Sequence, residues 1–470
     1  MKTLPRSLTA AAATAAIIAT AIIAAAGGTS AQAATRTNTG PTGCRGIEQL
    51  TVPGAERLEA ACLNDLTTTG TIGSGHTDSS GFLGFGGLSV LGAVKPSAVP
   101  GIQLDGYFPD TSILNSTHGW NHDSQFVIRL PRKWNGGLVV AGPPGIRRQY
   151  ASDVIISDTV LAKGYAYAST DKGNSGPRVY TDGIKPGDAI AEWHSRLTEL
   201  TIAAKDVLAQ RYHREPHRTY VAGFSAAGYL ARWQLENRPG LYDGGVDWEG
   251  TLYRGAPPNL LTYLPVALRR YPDYAATGDR DAFRAMIRAG FHRGSEFTWE
   301  YHYAYYWDLT QRVYREEFDP SYDGDLEAGI PFCQSGTPDC DADYDYSARP
   351  GAREALEKVA LTGDVKRPML TLHGTLDALL PIRTDSDVYR PMIQRQGRAD
   401  LHRYYRIRGG THVDGLRDSF GDQVRPLLPC ARQAFVRLED WVEDGRRPPA
   451  GATLARLPDR DREVNHCPLG

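Results

Sequence analysis

The chain has 470 residues, 41% hydrophobic and 23% charged, with a formal net charge of −2. That length excludes a small domain and suits one large domain with a substantial insertion. The near balance of charge gives no reason to expect a nucleic-acid partner.

The N-terminus reads as a signal rather than as part of the fold. Lys2 and Arg6 precede a run from Leu8 to Ala26 that is almost only Ala, Ile, Thr and Leu. Ala31-Gln32-Ala33 then fits a small-residue cleavage site, so residues 1–33 are expected to be a secretory signal peptide. The competing reading is a membrane anchor, since the apolar run is long enough to span. Removing residues 1–33 leaves 50 basic against 54 acidic residues. A secreted, extracellular protein with no membrane partner after cleavage is expected. Six cysteines remain: Cys44, Cys62, Cys333, Cys340, Cys430 and Cys467. An even count in an exported chain reads as disulfides. Spacing suggests the local pairs 44–62, 333–340 and 430–467, while the sequence alone leaves the connectivity open.

Residues 34–100 are rich in Gly, Ser and Thr and read as an irregular N-terminal extension. From about residue 101 strands and helices alternate. "QFVIRLP" (125–131) and "GGLVVAG" (136–142) read as strands, 152–164 as a helix and "YAYAST" (165–170) as a strand. Residues 187–212 carry apolar side chains at helical spacing. "RTYVAGF" (218–224) is a strand and 227–237 a helix. The alternation stops in 256–349, which is rich in Tyr, Trp, Arg and Asp. It resumes with helix 351–363, strand 367–374, helix 386–396, strand 401–409 and helix 423–442. This pattern predicts an α/β core, a mostly parallel sheet with helices on both faces. The core spans 101–255 and 350–470, the latter with a C-terminal tail, and 256–349 is an inserted cap, or lid.

Within "YVAGFSAAGYL" (220–230), Ser225 lies between a strand and a helix. A nucleophile on such a turn needs small residues two before and two after it, here Gly223 and Ala227, because the backbone closes on those positions. "LHGTLDALLP" (372–381) puts Asp377 in the loop at the tip of a later strand. "RIRGGTHVDG" (406–415) puts His412 after the next one. A serine hydroxyl is a poor nucleophile until a base takes its proton. His412 is the candidate base, and Asp377 the carboxylate that fixes its tautomer. Each residue alone is ordinary loop chemistry; together, at matched strand ends, they form a candidate Ser-Asp-His triad acting through an acyl-enzyme. An oxyanion hole needs two backbone N–H groups. Ala226, at the helix start, supplies one. In "AGPPGIRRQY" (141–150) the prolines cannot donate, which leaves Gly145 or Ile146, with Gly145 carried forward.

At this point the chain resembles the α/β-hydrolase superfamily over about residues 101–445. More narrowly it resembles secreted esterases of the tannase/feruloyl esterase family. The carrying residues are "LPRKWNGGLVV" (130–140), "GYAYASTDKG" (164–173), "GFSAAG" (223–228), "LYDGG" (241–245) and "GAPPN" (255–259). The resemblance implies carboxylic ester hydrolysis without an organic cofactor. It also implies calcium in the lid. Asp341, Asp343 and Asp345 in "PDCDADYDYS" are the candidate ligands, although the glycine and glutamate of an EF-hand loop are missing. A solvated acidic loop closed by Cys333–Cys340 is the competing reading. One departure stands out. That family usually joins cysteines directly before the nucleophile and directly after the histidine; here Phe224 and Val413 occupy those places.

"WEYHYAYYWDLTQRVY" (299–314) is dense in aromatics. As one continuous helix it would put Tyr303, Trp307 and Tyr314 on a common face, with Tyr303 and Trp307 as substrate-binding candidates. Packing of the cap onto the core is the competing reading. A long aliphatic acyl chain would call for Leu, Ile and Val, and here there are only Leu309 and Val313. The expected substrates are therefore aromatic or phenolic esters, or short hydroxyacyl esters, small or oligomeric. The alternatives are an exported serine peptidase of the same fold and a hydroxyalkanoate oligomer or polyester hydrolase.

Overall fold

A computed structural model describes residues 44–78, 88–112, 115, 117–322 and 341–469. The strands are β1 (Arg57–Leu63), β2 (Gly101–Tyr107), β3 (Gln125–Pro131), β4 (Gly137–Ala141), β5 (Ala166–Thr170), β6 (Arg218–Phe224), β7 (Gly244–Trp248), β8 (Met369–Gly374), β9 (His402–Ile407) and β10 (Thr453–Leu454). They form one sheet in the order β1-β2-β3-β5-β4-β6-β7-β8-β9-β10. β1, β2, β3 and β5 pair antiparallel. From β5 through β4, β6, β7, β8 and β9 to β10 every pairing is parallel. This is the mostly parallel sheet that the alternation predicts.

Alternate side chains of the central strands enter two separate cores. On one face Ile128, Val140, Ala168 and Val221 pack with Trp193, Leu197 and Leu200. These last three lie on helix α1 (Asp188–Tyr212). On the other, Val139, Tyr167, Tyr220 and Val246 pack with Phe435 and Leu438. Strands buried on both faces read as continuous apolar runs, which is why β3 to β6 stand out in the sequence.

Four strands lie where none is expected, among them the two-residue β10. β7, "GGVDW", is short and begins with two glycines. β1 and β2 form an antiparallel edge, and β1 sits inside the stretch expected to be irregular. β1 is only partly buried, so it lacks an apolar run, and Cys62 on it is bonded to Cys44. A second disulfide joins Cys430 to Cys467. Cys333 and Cys340 lie outside the described residues. The expected helix over 152–164 begins as a π-turn, Asp153–Ser157, and continues as a short helix, Asp158–Ala162.

Helix α2 (Ala226–Asn237) follows β6. Between β7 and β8 the described chain is helical: α3 (Leu260–Thr277), α4 (Arg280–Ala289), α5 (Trp299–Tyr305), α6 (Trp307–Phe318) and α7 (Pro350–Lys358). Helices α8 (Ser386–Arg395) and α9 (Leu428–Asp444) complete the core. No described helix is long and apolar enough to cross a membrane.

Two buried carboxyls set an expectation for stability. Asp414 accepts the N–H groups of Leu427 and Leu428, yet burial pushes its carboxyl to about 7. Burial likewise pushes Glu317 to about 8, against backbone N–H groups that include Ile190. The unfolded chain releases these protons near ordinary carboxylate values, whereas the folded chain holds them longer. In that window the folded state binds more protons, so stability falls as pH rises. The urea midpoint should therefore drop between about pH 5 and about pH 8. A midpoint that rises over the same range contradicts this.

Candidate active site

Because β4, β6, β7, β8 and β9 are parallel, the loops leaving their C-terminal ends share one edge of the sheet, where α/β folds bind ligands. Ser225 occupies the turn between β6 and α2. Its backbone is strained, with φ 58° and ψ −122°, and its N–H donates to Trp248 O over 3.0 Å. The turn is tight enough to dictate its neighbours. A Cβ on Gly223 would lie 2.0 Å from Ala227 O, and one on Gly228 would lie 2.6 Å from Gly250 Cα. These contacts explain the small residues flanking Ser225.

Asp377 and His412 project from the loops after β8 and β9. His412 Nδ1 donates to Asp377 Oδ2 over 2.8 Å, which leaves Nε2 to accept from Ser225 Oγ over 3.1 Å. The other Asp377 oxygen, Oδ1, accepts from Leu379 N and Leu380 N, both at 2.8 Å. All three side chains are buried. Burial alone would raise the Asp377 carboxyl. The His412 charge and hydrogen bonds from His373 and His412 outweigh it and hold Asp377 below the usual carboxylate range. Phe224 packs its ring against His412, with centroids 4.9 Å apart. Phe224 and Val413, which stand where the resembled family carries cysteines, both line the cavity beside Ser225.

That cavity has a volume of about 100 Å³. Ala226 is the first residue of α2, so its N–H has no carbonyl one turn back to take it. Gly145 and Ile146 line the cavity. Gly145 has φ 52°, and nothing lies within 4 Å of where a Cβ would be. Lys172 fixes this loop from below: its Nζ donates to Pro143 O and Gly145 O, and it sits 4.4 Å from the centre of the Trp193 ring. Burial lowers this ammonium to about 7, against the pull of Asp171.

The aromatic stretch is arranged differently from the expectation. Tyr306, with φ −125° and ψ −45°, breaks it into α5 and α6. The break rotates the two faces relative to each other, so Tyr303 and Trp307 do not line the cavity. Trp307 is fully buried and donates from Nε1 to Ala378 O over 2.6 Å, and Tyr303 packs on Tyr271. Tyr306 and Tyr314 line the cavity instead, with Leu309 and Val313. Ile146, Leu379 and Leu380 add to the apolar wall.

The acidic run does not converge on a common point. Asp341 is buried against Arg315, Nε to Oδ2 over 2.8 Å. Asp343 accepts from Tyr322 Oη over 2.6 Å, and Asp345 caps the short helix at 346–348 by accepting from Ser347 N. A residue the sequence reading missed lies closer to the site. Glu249, just past β7, is fully buried, with Oε2 3.8 Å from His412 Nδ1. Its signal was an acid at a strand end, and that strand was itself unrecognised.

The model of the family "Tannase and feruloyl esterase" matches residues 114–247. Among solved structures, feruloyl esterase B from Aspergillus oryzae superposes with a TM-score of 0.53. It is 12% identical, and the match covers 85% of this chain and 90% of that one. A second esterase from Aspergillus oryzae gives 0.51 at 12% identity, covering 86% and 90%. No curated protein matches the sequence. The fold is that of an α/β hydrolase. The chain resembles the tannase and feruloyl esterase family and is a carboxylic ester hydrolase.

Proposed function

We propose that the protein is a secreted serine esterase that cleaves aromatic or short hydroxyacyl esters through an acyl-enzyme. The observation that carries this reading is the hydrogen-bonded chain Ser225–His412–Asp377 beneath an open cavity. Ser225 Oγ attacks the ester carbonyl while His412 Nε2 takes its proton. The same nitrogen returns the proton to the departing alcohol. Asp377 keeps the Nδ1–H tautomer and stabilises the positive imidazolium. The tetrahedral oxyanion is received by the N–H groups of Ala226 and Gly145. Water then repeats the sequence on the acyl-enzyme. No organic cofactor enters these steps.

The helical stretch between β7 and β8 serves as a cap, since Tyr306, Leu309, Val313 and Tyr314 roof the cavity. At about 100 Å³ the cavity is smaller than the roughly 150 Å³ apolar cavity that encloses benzene, so it suits a short acyl group or a single ring that is only partly enclosed. Export is supported by the N-terminal signal pattern and by the disulfides 44–62 and 430–467.

The test is kcat/KM on methyl ferulate or gallate, a short hydroxybutyrate ester and a C16 ester. The aromatic or hydroxybutyrate ester should be cut fastest. If the C16 ester wins, the substrate class is wrong and the aliphatic wall binds a chain that runs out of the cavity. If only a peptide anilide is cut, the reading as an esterase fails.

A further inference from the structure

Two carboxyls, not one, approach His412. Asp377 holds Nδ1 at 2.8 Å, and Glu249 Oε2 lies 3.8 Å from the same nitrogen. They come from different strands, Asp377 after β8 and Glu249 after β7. Glu249 adopts φ 50°, an unfavourable backbone for a glutamate, and is fully buried. Its Oε1 accepts from Gly374 N over 2.8 Å, whereas Oε2 and the Trp248 indole Nε1 beside the carboxyl both lack a hydrogen bond of good geometry among the described residues. A buried, unpartnered carboxyl oxygen is costly and calls for an explanation.

We propose that Glu249 is a reserve positioning residue for His412, placed to accept the Nδ1–H in place of Asp377. The proposal rests on the reading of Ser225, His412 and Asp377 as the catalytic triad. Only one of two neighbouring buried carboxyls carries a charge at a time. Burial first, then the charge of Asp377 and that of Asp414, push the Glu249 carboxyl well above its ordinary range. The Gly374 N–H and the Trp248 indole pull the other way. While Asp377 is charged, Glu249 keeps its proton. Once the Asp377 charge is removed, Glu249 releases that proton to solvent and takes the hydrogen bond from Nδ1. The ionisable groups facing this corner are His373 on β8, Asp377 from the loop after it, His412 and Asp414 from the loop after β9, and His302 from α5.

A double-mutant cycle in the full-length enzyme tests this. Glu249→Gln, which keeps an acceptor for Gly374 N–H, should lower kcat/KM by at least roughly tenfold more in Asp377→Ala than in the parent. Asp377→Ala should also gain a rise of kcat/KM with pH, as Glu249 ionises, and the double variant should lose it. Equal costs in the two backgrounds, or a pH profile that Glu249→Gln leaves unmoved, overturn the proposal. If the alanine variant does not fold, Asp377→Asn, which keeps an acceptor for Leu379 and Leu380, takes its place in the cycle. Activity surviving Ser225→Ala would instead overturn the triad reading, a result independent of the cycle.

Discussion

Ser225→Ala should lower kcat by on the order of 10⁶ and leave the protein folded. Removing Oγ deletes the atom that forms the acyl-enzyme, and His412 then has no proton to take. The residues that build the turn are untouched, since Gly223, Ala227 and Gly228 set its geometry and the Ser225 N–H to Trp248 O bond is made by the backbone. Alanine meets the same strain at φ 58° as serine does, so the change adds no new backbone cost. Initial rates on a chromogenic ester, with a thermal melt alongside, measure both effects. A fluorophosphonate should label the parent and not the variant. Activity within about tenfold of the parent would remove Ser225 from the nucleophile role.

The parts of this site legible in the sequence are those encoded locally. Strand β6, the turn at Ser225 and helix α2 lie in one continuous stretch, and their period changes from continuous apolar to helical at the serine. Asp377 follows β8, which is buried along its whole length, and His412 follows β9, where only Arg403 and Arg406 are partly exposed, so each strand and its loop can be read together. What stayed hidden depends on long-range pairing or on one backbone angle. β7 is five residues with two glycines, and becomes a strand because β6 and β8 flank it. With β7 unseen, Glu249 had no strand end to mark it. One helical wheel over the aromatic stretch puts Tyr303 and Trp307 on a common face, and the break at Tyr306 changes which residues line the cavity beside Ser225. Leu309 and Val313, the stretch's two aliphatics, end up in the cavity wall, and its tryptophans are both fully buried.

Arg232→Met should cost about 3–5 kcal/mol of stability, the largest loss expected from any single side chain behind the site. Arg232 lies on α2, two turns after Ser225, and is fully buried. Its Nε donates to Asp247 Oδ2 over 2.7 Å, Nη1 to Asp385 Oδ1 over 2.9 Å and Nη2 to Ser386 Oγ over 2.9 Å. Asp247 also accepts from Thr371 Oγ1 and Gly250 N, and Asp385 from Leu252 N. One guanidinium thus ties α2, β7, β8 and the start of α8 together. A buried ion pair gives little net stability relative to well-packed apolar groups, but removing one partner alone strands the others. Methionine would leave two carboxylates in a water-free interior with no cation. Arg232→Lys should recover little, because a single ammonium cannot replace three donors in a fixed fork. The loss should also reach the chemistry. Ser386 Oγ bonds His373 Nδ1 over 2.8 Å, and His373 Nε2 lies 3.4 Å from Asp377 Oδ2. Displacing Ser386 therefore loosens the support of the carboxylate that orients His412. Urea denaturation measures the stability, and kcat below the transition measures the coupling. A loss under about 1 kcal/mol would mean that the network relaxes or admits water, and Arg232 would then not brace the site.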